Sequence, residues 1–136
     1  METHGFLAPE DETAARQQYD ETGPIAQTVV KETAKAMAFD ADEYDERVTG
    51  EVIETARDAL FASLLEVRTG TREEYEEWLA DRDREVVEEG SEHVSHVAWH
   101  DALAETVVAA TFESEERAAV ATLRRQAFGR AYRDLL

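Results

Sequence analysis

The sequence contains no cysteine. This absence excludes disulfide bonds, thiolate metal sites, iron–sulfur clusters and a cysteine nucleophile. Long hydrophobic runs are absent too: no window approaches the roughly 18 consecutive apolar residues of a transmembrane helix. The opening residues METHGFLAPE lack the basic and apolar regions of a secretory signal. We therefore expect a soluble cytoplasmic protein that does not bind membranes.

Positive charge is scarce, and lysine especially so. Of the 14 basic residues only Lys31 and Lys35 are lysines, whereas 32 acidic residues give a net charge of -18. This charge opposes compaction at low ionic strength, but at about 1 M salt the Debye length falls to about 3 Å and the repulsion is screened. The composition therefore indicates adaptation to a salt-rich, halophilic cytoplasm. A mesophilic acidic protein with a cationic partner is the alternative.

Proline and glycine are few, and no repeat or linker divides the chain. A length of 136 residues suits one domain, placed at 1–136, with residues 1–9 as a mobile N-terminal extension. Apolar residues recur at spacings of three and four, while β-branched residues occur in pairs such as Val86 and Val87. These patterns predict an all-α fold, a bundle of five or six helices.

Capping and breaking residues set the predicted helix boundaries. Gly23 ends the first helix and Pro24 opens the second. Asp40 caps the third helix, which Gly50 either kinks or splits. Thr71 with Glu74 forms a capping box at the start of the fourth. The predicted helices run over about 10–23, 24–39, 40–67, 71–90, 91–112 and 114–136.

Three of the four histidines lie in the segment SEHVSHVAWHDA, residues 91–102. On a continuous helix His93, His96 and His100 share one side, within an arc of about 60°. His96 and His100 are one turn apart and can bind one divalent transition metal together with a carboxylate. His93 and His100 lie about 10.5 Å apart along the axis, so a single ion does not easily reach all three. The favoured interpretation is a polar helix flank without a cofactor, and a metal-binding bundle is the alternative.

Catalytic motifs are absent from the sequence. The HVAWH pattern places Val97 where helical zinc proteases need a glutamate, and neither phosphate-binding glycine motifs nor a serine-hydrolase elbow occurs. No catalytic residue is therefore predicted, and a non-enzymatic role is favoured over an enzymatic one.

The C-terminal segment 117–136 carries five arginines and one aspartate. Polyanion binding through Arg125, Arg130 and Arg133 is a third hypothesis. Nucleic acid is an unfavoured partner, because affinity for phosphate falls steeply with salt and the acidic remainder of the chain repels it.

Two further residues stand out in helical projection. Arg124 falls amid the apolar face of the last helix and needs a partner, for which Asp101 is the candidate in a buried ion pair. Trp99 lies off the apolar arc of its helix, so it is a candidate contact for a partner, together with the C-terminal arginines.

Three segments carry a family resemblance: METHGFLAPE, GSEHVSHVAWHDA and VVAATFESEERAAVATLRRQAFGRAYR. The chain resembles a small haloarchaeal family of unknown function. The resemblance implies a halophilic cytoplasm and supplies neither an activity nor site residues. The leading prediction is a salt-adapted helical domain that works through protein contacts, as a homo-oligomer using the C-terminal helices.

Overall fold

A five-stranded sheet forms the centre of the protein, so the prediction of an all-α helical bundle is wrong. The computed structural model describes residues 1–91, 93–103 and 105–136. The strands are β1 Glu2–His4, β2 Val67–Thr71, β3 Glu85–Glu89, β4 His96–Asp101 and β5 Thr106–Phe112. The helices are α1 Glu12–Ala36, α2 Ala41–Arg47, α3 Gly50–Ser63, α4 Arg72–Ala80 and α5 Glu116–Ala127, which runs into a π-helical turn at Phe128–Tyr132.

The strands are ordered β1-β2-β4-β5-β3, with β3 parallel to β5 and the other neighbours antiparallel. Strand β4 is central: its Trp99 is paired with Arg68 of β2 on one side and Ala109 of β5 on the other. The segment predicted to be a histidine-bearing helix is thus the middle of the sheet.

Helices cover both faces of this sheet. Helix α5 packs on β4 and β5, α3 packs on α5, and α1 packs on α3. Helix α4 covers the opposite face, where Tyr75 and Trp78 surround the fully buried Trp99. The ring centroids of Tyr75 and Trp99 are 5.1 Å apart. Tyr75 and Trp78 are therefore core residues.

The two-sided cover explains why the central strands were predicted to be helical. A strand buried on one face alternates apolar and polar residues, whereas a strand buried on both faces reads as a short continuous apolar run. Residues 97–100 of β4 and 107–109 of β5 are buried without alternation. Strand β3 likewise replaces the end of the predicted fourth helix, since α4 ends at Ala80.

Helix α1 continues through Gly23 and Pro24, where the sequence predicted a break. Proline removes one helical hydrogen bond. The neighbouring helix supports this turn: Arg57 Nε donates to the Tyr19 carbonyl over 3.0 Å, and the guanidinium lies over the Tyr19 ring at 4.1 Å. Arg57 also pairs with Asp20 at 3.0 Å. These tertiary contacts outweigh the local breaking signal.

The predicted caps are partly confirmed. Asp40 accepts from the Glu43 backbone at 2.8 Å, and Thr71 with Glu74 forms a complete capping box. The predicted third helix is split into α2 and α3 just before Gly50, and Thr49 caps the second of them. The last helix, predicted over about 114–136, begins after Glu115, which makes no side-chain capping bond.

The first nine residues, expected to be a mobile extension, contribute to the sheet. Strand β1 pairs with β2, and Leu7 is buried against the core. Among the described residues, no helix has the length and apolar character needed to cross a bilayer.

Candidate functional site

The three predicted metal ligands do not converge on one ion. His96 and His100 are four residues apart on a strand, so they lie about 13 Å apart along it at about 3.3 Å per residue. His93 is exposed in the connection before β4. The predicted helix that would have placed these side chains one turn apart is absent, so this metal site loses its geometric basis.

His100 is a core residue with both ring nitrogens in hydrogen-bond contact. Its Nδ1 lies 2.6 Å from the Glu66 carbonyl and its Nε2 lies 2.7 Å from the Tyr132 hydroxyl. A carbonyl only accepts, so Nδ1 carries the proton, and Nε2 accepts from Tyr132. Burial lowers the pKa of His100, against the raising effect of the Glu66 carbonyl. Burial likewise raises the pKa of Tyr132. The pair is therefore neutral and structural.

The predicted ion pair between Asp101 and Arg124 is not formed among the described residues. Asp101 instead accepts from Arg84 Nε over 2.9 Å. Arg124 Nε donates to the Leu65 carbonyl over 3.0 Å, and burial lowers the pKa of this guanidinium. The acceptor of Arg124 is therefore a backbone carbonyl and not the predicted carboxylate of Asp101.

The predicted contact surface is dispersed in the structure. Trp99 is fully buried and cannot meet a partner. Arg125, Arg130 and Arg133 are exposed, but Arg130 pairs with Glu89 at 2.9 Å and Arg133 lies over the Phe128 ring. The apolar face of α5 is itself occupied by the core.

An open apolar groove lies instead between α1, α2 and α3, and no strand residue lines it among the residues that the structure describes. Its volume is about 510 Å³, and its lining includes Val29, Thr33, Met37, Phe39, Val48 and Val52. We call this surface the α1–α3 groove. In residues 25–39, apolar side chains cover a wider arc of the helix than one buried face requires. This width is a sequence signal for the groove.

Charged residues border the α1–α3 groove on two sides. Arg47 lies over the Phe39 ring at 5.6 Å from its centroid. Beyond Phe39, a second depression is lined by Lys31 and Lys35, the only lysines of the chain, together with Asp40. Basic side chains of α1 and acidic side chains of the α2 region thus adjoin one apolar surface.

A second, polar depression is lined mainly by residues of the sheet and the starts of α4 and α5. We call it the N-terminal cleft; its volume is about 330 Å³ and its lining includes Glu2, Thr69, Glu74, His96, Phe112 and Glu116. The amino group of Met1 contacts Glu74 over 2.6 Å and lowers the pKa of that carboxyl to about 2. His96 stacks near Phe112, with ring centroids 5.5 Å apart.

At the edge of this cleft, His4 lies between two glutamates. Its Nε2 is 3.2 Å from Glu116 Oε1 and 3.7 Å from Glu2 Oε2. Thr69 Oγ1 donates to the same Glu116 oxygen over 2.5 Å. The hydrogen bonds from Thr69 and His4 lower the pKa of Glu116, so this carboxylate is held in its charged form. The alternation of Glu2 and His4 is the only local sequence signal for this cluster.

Comparison with known proteins adds a family but no activity. Residues 6–133 match the sequence family described as "Family of unknown function (DUF5809)". The chain belongs to this family. No curated protein and no solved structure matches it. The DUF5809 match includes the whole α1–α3 groove, whereas Glu2 and His4 precede it.

Proposed function

We propose that this DUF5809 protein is a salt-adapted interaction domain that forms a homodimer through the α1–α3 groove. The observation that carries the proposal is the clustering of exposed apolar side chains. Seven large apolar side chains are exposed in the described part of the chain, and four of them lie on or beside the groove: Ile25, Val29, Met37 and Val52. Scattered apolar residues are normal on a surface, but a contiguous patch marks an interaction site.

The apolar residues of α1 form a stripe that suits helix packing. Ile25, Val29, Thr33 and Met37 follow at intervals of four, so they lie on one side of the helix. Ile25 is 52% exposed and Met37 is 62% exposed. The stripe borders the side of α1 that packs on α3, and Val29, Thr33 and Met37 remain exposed there, so it is available to a second molecule.

Charge complementarity favours a second copy of the same chain as the occupant. In a two-fold dimer the same surface of both protomers forms the contact. Each contact therefore occurs twice, once from each protomer to the other. The basic edge formed by Lys31 and Lys35 can then face the acidic α2 of the partner, which carries Asp42, Glu43, Asp45 and Glu46. Oppositely charged borders set the register of such a contact.

The exposed sheet edge is a weaker candidate for the contact surface. Strand β3 forms one edge of the sheet, and three of its five residues are glutamates, Glu85, Glu88 and Glu89. Charged residues on an edge strand oppose pairing with another strand. Two copies would bring these like charges together, which favours the groove over the edge.

Salt supports the proposal through screening. Two chains of charge -18 repel each other at low ionic strength, and a Debye length of about 3 Å at 1 M salt removes most of that repulsion. A salt-rich haloarchaeal cytoplasm is the setting we propose for the dimer. Association through an apolar groove should therefore strengthen as salt is raised.

Sedimentation equilibrium in about 2 M KCl tests this proposal with two matched variants. Val29 on the groove is 43% exposed and Val86 on β3 is 41% exposed, so a glutamate at either position adds the same charge at similar exposure. We expect a wild-type dimer, at least tenfold weaker association for Val29→Glu, and no change for Val86→Glu. A wild-type monomer at 100 µM, or equal effects of the two variants, would overturn the proposal.

A further inference from the structure

We propose that Glu2, His4 and Glu116 bind one divalent transition metal ion of the zinc class at the edge of the N-terminal cleft. This site is separate from the α1–α3 groove, and His96 of β4 lines the same cleft but is not one of the ligands. One imidazole nitrogen and two carboxylate oxygens, which all lie within 4.8 Å of one another, supply the ligands.

The spacing of the ligand atoms fits a metal ion. Zinc bonds to nitrogen and carboxylate oxygen are about 2.0–2.2 Å long, and tetrahedral angles then place neighbouring ligand atoms about 3.4 Å apart. His4 Nε2 lies 3.2 Å from Glu116 Oε1 and 3.7 Å from Glu2 Oε2. Chelation therefore needs only small side-chain movements.

The backbone positions these three side chains by ordinary secondary structure. Glu2 and His4 are alternate residues of β1, so both point to the face of the sheet that α5 covers. Glu116 is the first residue of α5. The buried Thr69 lies between them: its Oγ1 is 2.5 Å from Glu116 Oε1 and 3.3 Å from His4 Nε2. An outer hydrogen bond of this kind orients a ligating carboxylate.

The donor set determines the class of ion. Carboxylates alone suit magnesium or calcium, whereas an imidazole donor favours zinc, cobalt or nickel. Two carboxylates neutralise a divalent ion, so the complex adds no net charge beside the start of α5. Three protein ligands leave a fourth position for water or a small anion, and Glu2 and Glu116 both border the N-terminal cleft.

Metal titration of the full chain tests this proposal. The protein needs its native N-terminus and no histidine tag, in chelator-free buffer containing about 2 M KCl. Cobalt serves as a visible probe of tetrahedral coordination, and calorimetry with zinc measures affinity. Glu116→Gln and His4→Ala remove one ligand each, and the glutamine still accepts from Thr69. His93→Ala is the control, since His93 is an exposed histidine outside the cluster.

We expect one equivalent of cobalt or zinc in the wild type and in His93→Ala, with binding at least tenfold weaker in both ligand variants. Circular dichroism should show that all four proteins are folded without metal. Absence of binding in the wild type at 1 mM zinc would overturn the proposal. So would wild-type affinity in Glu116→Gln, or a loss of binding in His93→Ala.

Discussion

Replacing Tyr132 by phenylalanine removes one hydroxyl from the centre of the core. In the folded protein this hydroxyl donates to His100 Nε2 over 2.7 Å, and the other ring nitrogen donates to the Glu66 carbonyl. His100 is only 1% exposed and Tyr132 is fully buried, so water cannot replace the lost donor. The variant therefore leaves one buried acceptor without a partner.

The expected cost follows from that orphaned acceptor. A buried polar atom left without its hydrogen bond costs about 1–3 kcal/mol. For a domain of this size, each kcal/mol corresponds to about 4 °C in the midpoint of thermal unfolding. We therefore expect Tyr132→Phe to lower the midpoint by about 4–12 °C. The ring itself is retained, so its edge contact with Phe61 at 5.5 Å should persist.

Thermal and denaturant unfolding followed by circular dichroism measure this cost. The experiment is done at pH 8 in about 2 M KCl, at one protein concentration for all variants because a dimer's midpoint depends on concentration. Tyr44→Phe is the matched control, since Tyr44 is half-buried on α2 and lies outside the network. If Tyr132→Phe costs less than about 0.5 kcal/mol, or no more than the control, the hydrogen-bond assignment is wrong.

Three other predictions test separate features. Burial lowers the pKa of His100 below its ordinary 6.5, so the unfolded chain alone takes up a proton as the pH falls below 6.5, and the folded state loses stability there. Denaturant unfolding at stepped pH measures this loss. The free energy of unfolding should fall less steeply with decreasing pH in His100→Gln than in the wild type, by up to about 1.4 kcal/mol per pH unit. Thr71→Ala removes the cap of α4 and should cost about 0.5–2 kcal/mol in the same assay. Dialysis to about 50 mM salt should reduce helicity by circular dichroism, because the Debye length then exceeds 10 Å; unchanged helicity would refute salt adaptation.

Local signals in the sequence predicted local structure well. The capping box of Thr71 and Glu74 and the cap at Asp40 need only residues within one helical turn, and both are confirmed. The break predicted at Gly23 and Pro24 failed because its outcome depends on Arg57, which is distant in sequence. A helix stop is thus predictable only where no neighbouring element supports the backbone.

The central strands could not be predicted from periodicity. The spacing of His93, His96 and His100 also fits one side of a helix, and nothing local reveals that helices cover both faces of the VAW run in β4. The pairing of Asp101 with Arg124 depends on the same helical projection and is therefore wrong as well. The partner of Asp101 is Arg84, which lies just before β3. The prediction that Trp99 contacts a partner has the same origin, whereas this side chain is fully buried.

The two candidate sites differ in the same way, since one has a local signal in the sequence and the other depends on contacts between distant residues. The α1–α3 groove has a local signal, because apolar residues of 25–39 cover more of the helix than one packing face needs. The cluster of Glu2, His4 and Glu116 joins the first strand to the last helix across more than 100 residues. Only the sheet register and the docking of α5 bring these ligands together.

Protection of the groove on association is the most direct test of its proposed function. The chain has no cysteine, so a single introduced thiol can be labelled without background. Val52 in the groove and Val86 on β3 are both 41% exposed. In about 2 M KCl, maleimide labelling of Val52→Cys should slow at least tenfold between 1 and 100 µM protein, while Val86→Cys is unaffected. Equal labelling rates for the two thiols at 100 µM would contradict self-association through this groove.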